Sequence, residues 1–412
     1  TLDDDAPVIA GLSGNTVSFT EGGTAVVLEN QIEVSDVDDA NLTKAIIRIS
    51  EGYGAQDKLA ATATAGFTID WTAATGTLEI TGDKSKADWQ TLLRTVSFIN
   101  EDGNNPEGGN RKVSWKLYDG ANWSQVQQTT VSVTPANDKP TLTIPAGQVA
   151  FTEQTPVVIA NNLTLGDVDS GIKGATVTIK SALAGDTLLF TNTDKITGTL
   201  SQTGANAADT TLTLSGDASV AEYQTALRSV AYNNNGDNRA TTNLNIEFNV
   251  TDSADATLAT AVTKTVAMTA VNDAPTLGGG GNIVQYSEGD GAVVINNAIT
   301  LDDPEGTAVT RIELVLAGAG ASGETLALPA NDKIQANFNN NKLTLTKKDG
   351  QTPTNAEYQA ALRTVTYTNT DASTADGNRT ITFTAIEVEA GGAEKPSTAA
   401  VSTFSVATLD DD

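Results

Sequence analysis

One ten-residue stretch decides how this chain folds, and it occurs three times: Trp89-Gln-Thr-Leu-Leu-Arg-Thr-Val-Ser-Phe98, Tyr223-Gln-Thr-Ala-Leu-Arg-Ser-Val-Ala-Tyr232 and Tyr358-Gln-Ala-Ala-Leu-Arg-Thr-Val-Thr-Tyr367. The copies lie 134 and 135 residues apart (223 − 89 and 358 − 223). In the first copy the apolar positions 89, 92, 93 and 96 are spaced i, i+3, i+4 and i+7, which places them on one helical face. The end of the stretch alternates as a strand does. Each copy therefore predicts a short helix that leads into a strand.

Other segments repeat with the same period. Phe19-Thr-Glu21 returns as Phe151-Thr-Glu153 and Tyr286-Ser-Glu288, and Asn137-Asp138-Lys-Pro140 returns as Asn272-Asp273-Ala-Pro275. The opening Leu2-Asp-Asp-Asp-Ala-Pro7 holds the matching place in the first copy, and the terminal Leu409-Asp-Asp-Asp412 repeats that opening. A fixed period of this length indicates tandem structural units. We predict repeats at 1–137, 138–273 and 274–408, with 409–412 as the start of a further linker.

Within each repeat the hydrophobic pattern mostly has a period of two, as in Leu244-Asn-Ile246-Glu-Phe248-Asn-Val250. That alternation is typical of strands with one buried face. Glycine, asparagine and aspartate interrupt the strands, as turns require. About 134 residues per unit are enough to bury a separate core, which favours independent domains over a solenoid. The predicted fold is all-β: three tandem immunoglobulin-like antiparallel β-sandwich domains in an elongated array, each with one short helix.

The composition excludes several classes of function. The chain carries 24 basic against 51 acidic side chains, a formal charge of −27, so a nucleic-acid partner is not expected. It contains neither cysteine nor histidine, which excludes disulfides, thiolate or imidazole metal sites and Ser-His or Cys-His catalysis. No apolar run reaches about 18 residues, so we expect no membrane insertion. Hard cations, which take oxygen ligands, remain possible.

Many of the acids recur in register. They form an acid-x-acid turn (Asp36 and Asp38, Asp167 and Asp169, Asp303 and Glu305), a later single acid (Asp119, Asp252, Glu387), an acid after the first long strand (Glu21, Glu153, Glu288) and an acid before the helix (Asp83, Asp217, Asp349). A solvated surface needs charge but not charge at fixed positions. Carboxylates held together without a cation repel one another. Because Ca²⁺ takes 6–8 oxygen ligands, the pattern predicts calcium sites beside the acidic linkers.

This ensemble of acids resembles the calcium pattern of cadherins. The segments "ALRSVAYNNNGDNR" and "VNDAPT" resemble the cadherin-like repeats of giant bacterial RTX-type adhesins. The resemblance extends over essentially the whole chain. The resemblance implies calcium ions between consecutive domains. At the first junction it implies Glu21, Asn137, Asp138, Asp167, Asp169 and Asp252 as ligands, with Asp83 as a further candidate. At the second it implies Glu153, Asn272, Asp273, Asp303, Glu305 and Glu387, with Asp217 as a further candidate. It leaves half-sites of Asp3, Asp4, Asp5, Asp36, Asp38 and Asp119 at one end, and of Glu288, Asp410, Asp411 and Asp412 at the other.

Two departures from the cadherin pattern concern the acids before the helix. Cadherins usually carry Asp-Arg-Glu where this chain has Asp83-Lys-Ser85 and Asp217-Ala-Ser219. The assignment of Asp83 and Asp217 as ligands therefore stays open, and so does the number of ions at each junction.

The function implied by the resemblance is mechanical. It is that of a calcium-rigidified extender segment of a long secreted bacterial surface adhesin, which supports cell attachment and biofilm formation after type I secretion. Such a segment is monomeric and extracellular, its partners are the neighbouring repeats, and a host or surface ligand is bound elsewhere in the parent protein.

Two other classes of function compete with the mechanical one. The alternative is a ligand- or carbohydrate-binding module, for which Trp71 and Trp123, present in the first repeat only, could stack against a sugar. An enzyme such as a glycosidase is disfavoured, because catalytic acids are confined to one place and these acids recur in every repeat.

Overall fold

The fold was obtained as a computed structural model that describes residues 4–12, 14, 16–202, 208–236, 242–258, 260–287, 289–318, 323–371 and 376–407. The first repeat comprises β1 (Val8–Ala10), β2 (Thr16–Thr20), β3 (Val26–Val27), β4 (Glu33–Ser35), β5 (Asn41–Glu51), β6 (Asp57–Ala60), β7 (Thr68–Thr72), β8 (Thr77–Ser85), α1 (Lys86–Leu93), β9 (Ser97–Asn100), β10 (Gly109–Tyr118) and β11 (Gln127–Thr134).

The second and third repeats follow the same order of elements. The second comprises β12 (Thr141–Thr143), β13 (Gln148–Thr152), β14 (Val157–Val158), β15 (Thr164–Gly166), β16 (Ile172–Ala182), β17 (Asp186–Leu189), β18 (Thr197–Gln202), β19 (Ala208–Ala218), α2 (Val220–Ser229), β20 (Ala231–Asn234), β21 (Leu244–Asp252) and β22 (Val262–Thr269). The third comprises β23 (Thr276–Gly278), β24 (Ile283–Ser287), β25 (Val293–Val294), β26 (Thr300–Asp302), β27 (Arg311–Ala317), β28 (Glu324–Ala327), β29 (Ile334–Asn339), β30 (Lys342–Lys347), α3 (Asn355–Leu362), β31 (Thr366–Asn369), β32 (Gly377–Val388), β33 (Glu394–Pro396) and β34 (Ala400–Ala407).

Each repeat is a β-sandwich, as predicted. In the first repeat the large sheet has the order β2-β11-β10-β5-β8-β7, a smaller sheet has the order β3-β9-β6, and β1 pairs with β4. The second repeat gives β13-β22-β21-β16-β19-β18, β14-β20-β17 and β12-β15. The third gives β24-β34-β32-β27-β30-β29, with β33 beside β32, together with β25-β31-β28 and β23-β26. The all-β tandem array inferred from the period-two pattern is thus confirmed.

The pairing of the first long strand with the last strand in each repeat is parallel, whereas the other pairs are antiparallel. These parallel pairs are β2 with β11, β13 with β22 and β24 with β34. Two neighbouring strands that run in the same direction carry the chain toward the same end of the sandwich. The chain therefore leaves each repeat at the end that β2, β13 or β24 also reaches.

Three separate apolar clusters form the cores. They draw their residues from 9–133, 142–268 and 277–406, so each lies within one of the three predicted repeat ranges. The aromatic residue that opens each helix stretch (Trp89, Tyr223, Tyr358) has no exposed surface. Leu92 and Leu93 are buried as well, which confirms the helical face predicted for these positions, whereas Val96 is buried but lies beyond the helix, which ends at Leu93.

The three helices share a set of polar contacts with one strand. The glutamine that follows the aromatic residue accepts a hydrogen bond from the strand backbone, from Val34 (3.2 Å), Leu165 (3.0 Å) and Leu301 (2.9 Å). The arginine four positions further on donates from Nε to the oxygens of Ile32 (2.9 Å), Leu163 (2.8 Å) and Ile299 (2.8 Å). Each helix thus fixes the strand that leads directly into the acid-x-acid turn.

Replacing Leu227 with alanine tests the buried helix face. We expect the free energy of unfolding of that repeat to fall by about 2–5 kcal/mol, because the substitution leaves a cavity under a fully buried leucine. Thr225→Ala, at an exposed position of the same helix, should change it by no more than about 0.5 kcal/mol. Denaturant titration measures both, and equal effects would show that the helix face does not pack against the core.

Candidate metal centre

The first acid of each acid-x-acid turn closes the turn with one of its two oxygens. Asp36 Oδ1 accepts from the backbone nitrogens of residues 38 (3.2 Å) and 39 (2.9 Å). Asp167 Oδ1 does the same for residues 169 (3.2 Å) and 170 (2.7 Å), and Asp303 Oδ1 accepts from residue 307 (2.7 Å). The Oδ2 atoms of all three are buried and have no hydrogen-bond partner among the described residues.

The second acid of the turn binds the linker backbone. Asp138 donates its backbone N–H to Asp169 Oδ2 at 2.6 Å, and the matching bonds join Asp5 to Asp38 Oδ2 (3.1 Å) and Asp273 to Glu305 Oε2 (2.9 Å). The same bond thus occurs at the start of all three repeats. Asp169 Oδ1, Glu305 Oε1 and Asp138 Oδ2 are then left buried and without a partner in the part of the chain that the structure describes.

The third acid lies at the end of β10, β21 or β32: Asp119 directly follows β10, Asp252 is the last residue of β21 and Glu387 is the second-last residue of β32. Asp119 is 7% exposed, while Asp252 and Glu387 have no exposed surface. Asn137 Nδ2 donates to Asp252 Oδ2 at 2.7 Å, and Asn272 Nδ2 donates to Glu387 Oε1. Asp119 Oδ2 and Glu387 Oε2 are buried oxygens with no partner within the described ranges.

The fourth acid comes from the preceding repeat. Because β2 runs parallel to β11, Glu21 lies at the end where the chain leaves the first repeat, and its Oε2 accepts from the backbone nitrogen of Ala136 at 2.8 Å. Glu153 does the same with Val271 at 3.0 Å in the second repeat. Both backbone donors directly precede the Asn-Asp linker. Glu21 Oε1 is buried and finds no partner among the residues described.

Asp39 was missed by the reasoning from sequence. One carboxylate oxygen from each of Asp4, Asp39 and Asp119 lies within 4.8 Å of the others, and the same holds for Asp36, Asp38 and Asp39. Asp39 has no acidic counterpart in the other repeats, where Ser170 and Gly306 stand, so a search for repeated acids could not find it. The only available signal was the direct run of Asp38 into Asp39.

The proximity of these carboxylates affects their protonation. Burial, together with the charges of Asp119, Asp39 and Asp38, raises the pKa of Asp4. The pKa of Glu305 is raised mainly by burial and also by the charges of Asp273 and Asp303, although two backbone hydrogen bonds oppose the shift. Burial and the neighbouring Asp303 raise the pKa of Glu387, against the opposing effects of Asn272 and Lys395. A bound cation would remove this repulsion.

The acids before the helices have a different environment. Asp83 and Asp217 are exposed, and Asp83 Oδ1 accepts from Asn41 Nδ2 at 2.8 Å. Asp217 lies near Tyr223, whose pKa is raised to about 12 by burial first and by Asp217 second. Their assignment as ligands therefore stays a prediction. Asp3, Glu288, Asp410, Asp411 and Asp412 lie outside the described residues.

The two tryptophans considered for sugar stacking pack against other side chains. Trp123 stacks on Tyr118 with ring centroids 4.8 Å apart, and Lys116 Nζ lies 4.9 Å from the Trp123 centroid. Trp71 is edge-on to Tyr53 at 6.4 Å. The rings of Trp123 and Trp71 therefore already have partners within the first repeat.

The donor set at the linkers suits a hard cation. It consists mainly of carboxylates, and several of them, such as Asp167, Asp169 and Glu305, accept a hydrogen bond on one oxygen while the other oxygen is buried and has no partner among the described residues. Removing water from a carboxylate oxygen without replacing the lost hydrogen bonds costs free energy, which a cation can restore. Calcium accepts irregular sets of 6–8 oxygens, whereas magnesium requires near-ideal octahedral geometry. The donor chemistry therefore suits Ca²⁺, and among the described residues the groups of three carboxylates whose oxygens lie within 4.8 Å of one another are at the start of the first repeat.

No protein-family model and no curated protein sequence matches the chain. Among solved structures, domains 1–5 of protocadherin gamma B2 are 15% identical and align over 100% of this chain and 61% of theirs, with a TM-score of 0.34. Domains 3–6 of protocadherin gammaB7 are 13% identical over 98% and 74%, with a TM-score of 0.34. Drosophila N-cadherin domains 1–4 are 11% identical over 99% and 76%, with a TM-score of 0.27. Scores this low add no argument about function.

In the described part of the chain, no helix has both the length and the apolar character needed to cross a bilayer.

Asp167→Asn tests whether the bare oxygen is a cation ligand. In a chelator the variant should be more stable than the wild type by about 1–3 kcal/mol, because a buried unpartnered charge is removed while Oδ1 can still close the turn. In calcium it should gain less than the wild type, because one ligand is lost. Asp83→Asn serves as the exposed control. Calorimetry measures all three proteins, and an unchanged response of Asp167→Asn to calcium would exclude Asp167 from the site.

Proposed function

We propose that this chain is a calcium-rigidified extender segment of a long secreted bacterial surface adhesin of the RTX type. One observation carries the proposal: buried carboxylate oxygens that have no partner among the described residues lie on both sides of the linker, on Glu21 from one repeat and on Asp167 and Asp169 from the next. A calcium ion that satisfies oxygens from both sides ties two domains together.

The proposed ligand sets follow the linkers. The first contains Glu21, Asn137, Asp138, Asp167, Asp169 and Asp252, and the second contains Glu153, Asn272, Asp273, Asp303, Glu305 and Glu387. The domain boundaries that go with them are at 137 and 273. A half-site of Asp4, Asp5, Asp36, Asp38, Asp39 and Asp119 at the start of the first repeat would be completed by a preceding domain.

The proposed mechanism is the removal of a hinge. Without a cation, each linker holds several carboxylates that repel one another, so bent arrangements that separate them are favoured. With calcium, ligands from two domains share one coordination shell and the relative orientation of the domains is fixed. The strand topology supports this role, because a chain that leaves a sandwich beside the end of its first long strand can pass directly into the next domain.

The proposed location is the outside of a bacterial cell. Extracellular calcium sites typically bind at about 10⁻⁴–10⁻³ M, so they are filled outside the cell and empty in the cytoplasm. Domains stabilised by such sites would gain their full stability only after export. In this proposal the segment is monomeric and not an enzyme. It supports attachment and biofilm formation by holding a binding domain, located elsewhere in the parent protein, away from the cell.

Small-angle scattering tests the extender. The longest strand of the third repeat has 12 residues, which at about 3.3 Å per residue gives roughly 40 Å per domain and on the order of 120 Å for three in line. If the 412 residues formed one compact globule, its radius of gyration would be only about 22 Å. We expect the long particle in calcium and a shorter or broader distribution of dimensions in chelator, and magnesium at equal concentration should not restore the length.

The double variant Asp138→Ala/Asp167→Ala is the matched control for this experiment. It should loosen the first junction and leave the second intact, because the two ligand sets share no residue. A compact particle in calcium, or dimensions that do not respond to chelator, would contradict the proposed function.

A further inference from the structure

The two linkers differ at one position that faces the linker backbone. This position can be aligned between the repeats by a backbone hydrogen bond that all three share. In it, a backbone nitrogen after the third acid donates to the carbonyl oxygen of the residue two positions before that acid. The bonds run from Ser124 to Leu117 (2.8 Å), from Leu258 to Val250 (3.2 Å) and from Ser397 to Ala385 (2.8 Å). Two residues before these donors stand Asn122, Ala256 and Lys395. Asn122 offers a neutral hydrogen-bond donor and Lys395 a charged one, whereas the side chain of Ala256 offers none.

The donor side chains reach the same linker carbonyl. Asn122 Nδ2 donates to the backbone oxygen of Asp4 at 2.8 Å, and Lys395 Nζ donates to the backbone oxygen of Asn272. Asp4 precedes Asp5 just as Asn272 precedes Asp273, so the two carbonyls are equivalent. At the first junction Ala256 cannot supply such a donor from its side chain.

A longer hairpin places Lys395 at this carbonyl. Ten positions separate Glu387 from Ser397, whereas five separate Asp119 from Ser124. The additional residues include β33, which pairs with β32 and matches Glu387 with Lys395. Glu389 Oε1 forms an ion pair with the Lys395 ammonium group at 3.0 Å. The lysine is thus built into the third repeat and directed at the second linker.

The two proposed ligand sets carry the same number of carboxylates, and the first linker also carries the exposed Lys139. Each proposed ligand set contains five carboxylates: Glu21, Asp138, Asp167, Asp169 and Asp252 at the first, and Glu153, Asp273, Asp303, Glu305 and Glu387 at the second. The Lys395 ammonium group lies close enough to Asp273 and Glu387 to interact with their charges, and it occupies the backbone oxygen of Asn272, which a cation could otherwise bind. Calcium affinity depends on the charge and availability of the ligands.

We propose that Lys395 lowers the calcium affinity of the second junction, so that as calcium falls this junction loses its ion before the first. The inference rests on the proposed function, since it assumes that both junctions bind calcium. The two junctions of the extender would then become flexible in a fixed order as calcium falls, with the junction between the second and third repeats first.

The test uses the full chain and reads the two junctions separately. Because the chain has no cysteine, introduced pairs are the only sites for thiol-reactive fluorophores. Ala74→Cys with Thr191→Cys spans the first junction, and Thr191→Cys with Thr352→Cys spans the second; all three positions are exposed. Energy transfer across each pair is then recorded as free calcium is varied.

The expected results are specific to the junction. Lys395→Ala should lower the half-saturating calcium of the second junction about tenfold, the order of effect of one nearby charge in a partly screened site, and leave the first unchanged. The double variant Lys395→Ala/Glu389→Ala keeps the net charge of the chain, and it should still lower the half-saturating calcium of the second junction. Ala256→Lys should raise the value at the first junction.

A matched control separates contact from general charge. Lys139 lies in the first linker beside Asp138 but is exposed, so Lys139→Ala should change the first junction by no more than about twofold. If Lys395→Ala leaves the second junction unchanged, or shifts both junctions equally, the role of Lys395 is wrong while the extender stands. If neither pair responds to calcium in the wild type, both proposals are wrong.

Discussion

One hydrogen bond, from the linker backbone to the second acid of the turn, underlies the rest of this structure. It occurs at the start of all three repeats, with lengths of 3.1, 2.6 and 2.9 Å. The bond uses one oxygen of the acid to hold the linker against the domain. In the second and third repeats it leaves the other oxygen, on Asp169 and Glu305, buried without a partner in the described chain. A linker bound in this way brings the carboxylate of its own aspartate, Asp138 or Asp273, toward the acids of the turn. The same hydrogen bond thus positions the linker and adds to the negative charge that a cation would neutralise.

The topology of the sandwich explains why acids far apart in sequence meet. The helix stretch binds the strand that ends in the acid-x-acid turn, through Gln90 and Arg94 in the first repeat. The parallel pairing of the first long strand with the last carries Glu21 and Glu153 to the opposite end, where the chain leaves. The two turn acids and the third acid therefore lie at the entry end of each repeat, and in the first two repeats Glu21 or Glu153 lies at the exit end. Tandem repetition places these complementary sets on the two sides of every linker.

Much of this could be predicted from the sequence, because repetition reveals what a single copy conceals. The helix face at Trp89, Leu92 and Leu93 and the register of the acids followed from spacing alone. The parallel strand pair did not, since strand direction depends on the path between strands and leaves no period in the sequence. Asp39 and Lys395 were missed for the opposite reason: each occurs in one repeat only, and Lys395 reaches the linker through a hairpin whose added length alters no repeated motif. Features peculiar to one repeat are where the junctions can differ.

The most direct measurement is an anomalous difference map from crystals of the full chain grown in calcium. The account predicts a calcium peak at the first linker within about 2.3–2.6 Å of Asp167 Oδ2, Asp169 Oδ1 and Glu21 Oε1, which have no partner within the part of the chain that the structure describes. Because these atoms belong to two repeats, such a peak would establish an ion shared across the junction. A map with no peak at the linker, or with ions bound only to acids of a single repeat, would contradict the account.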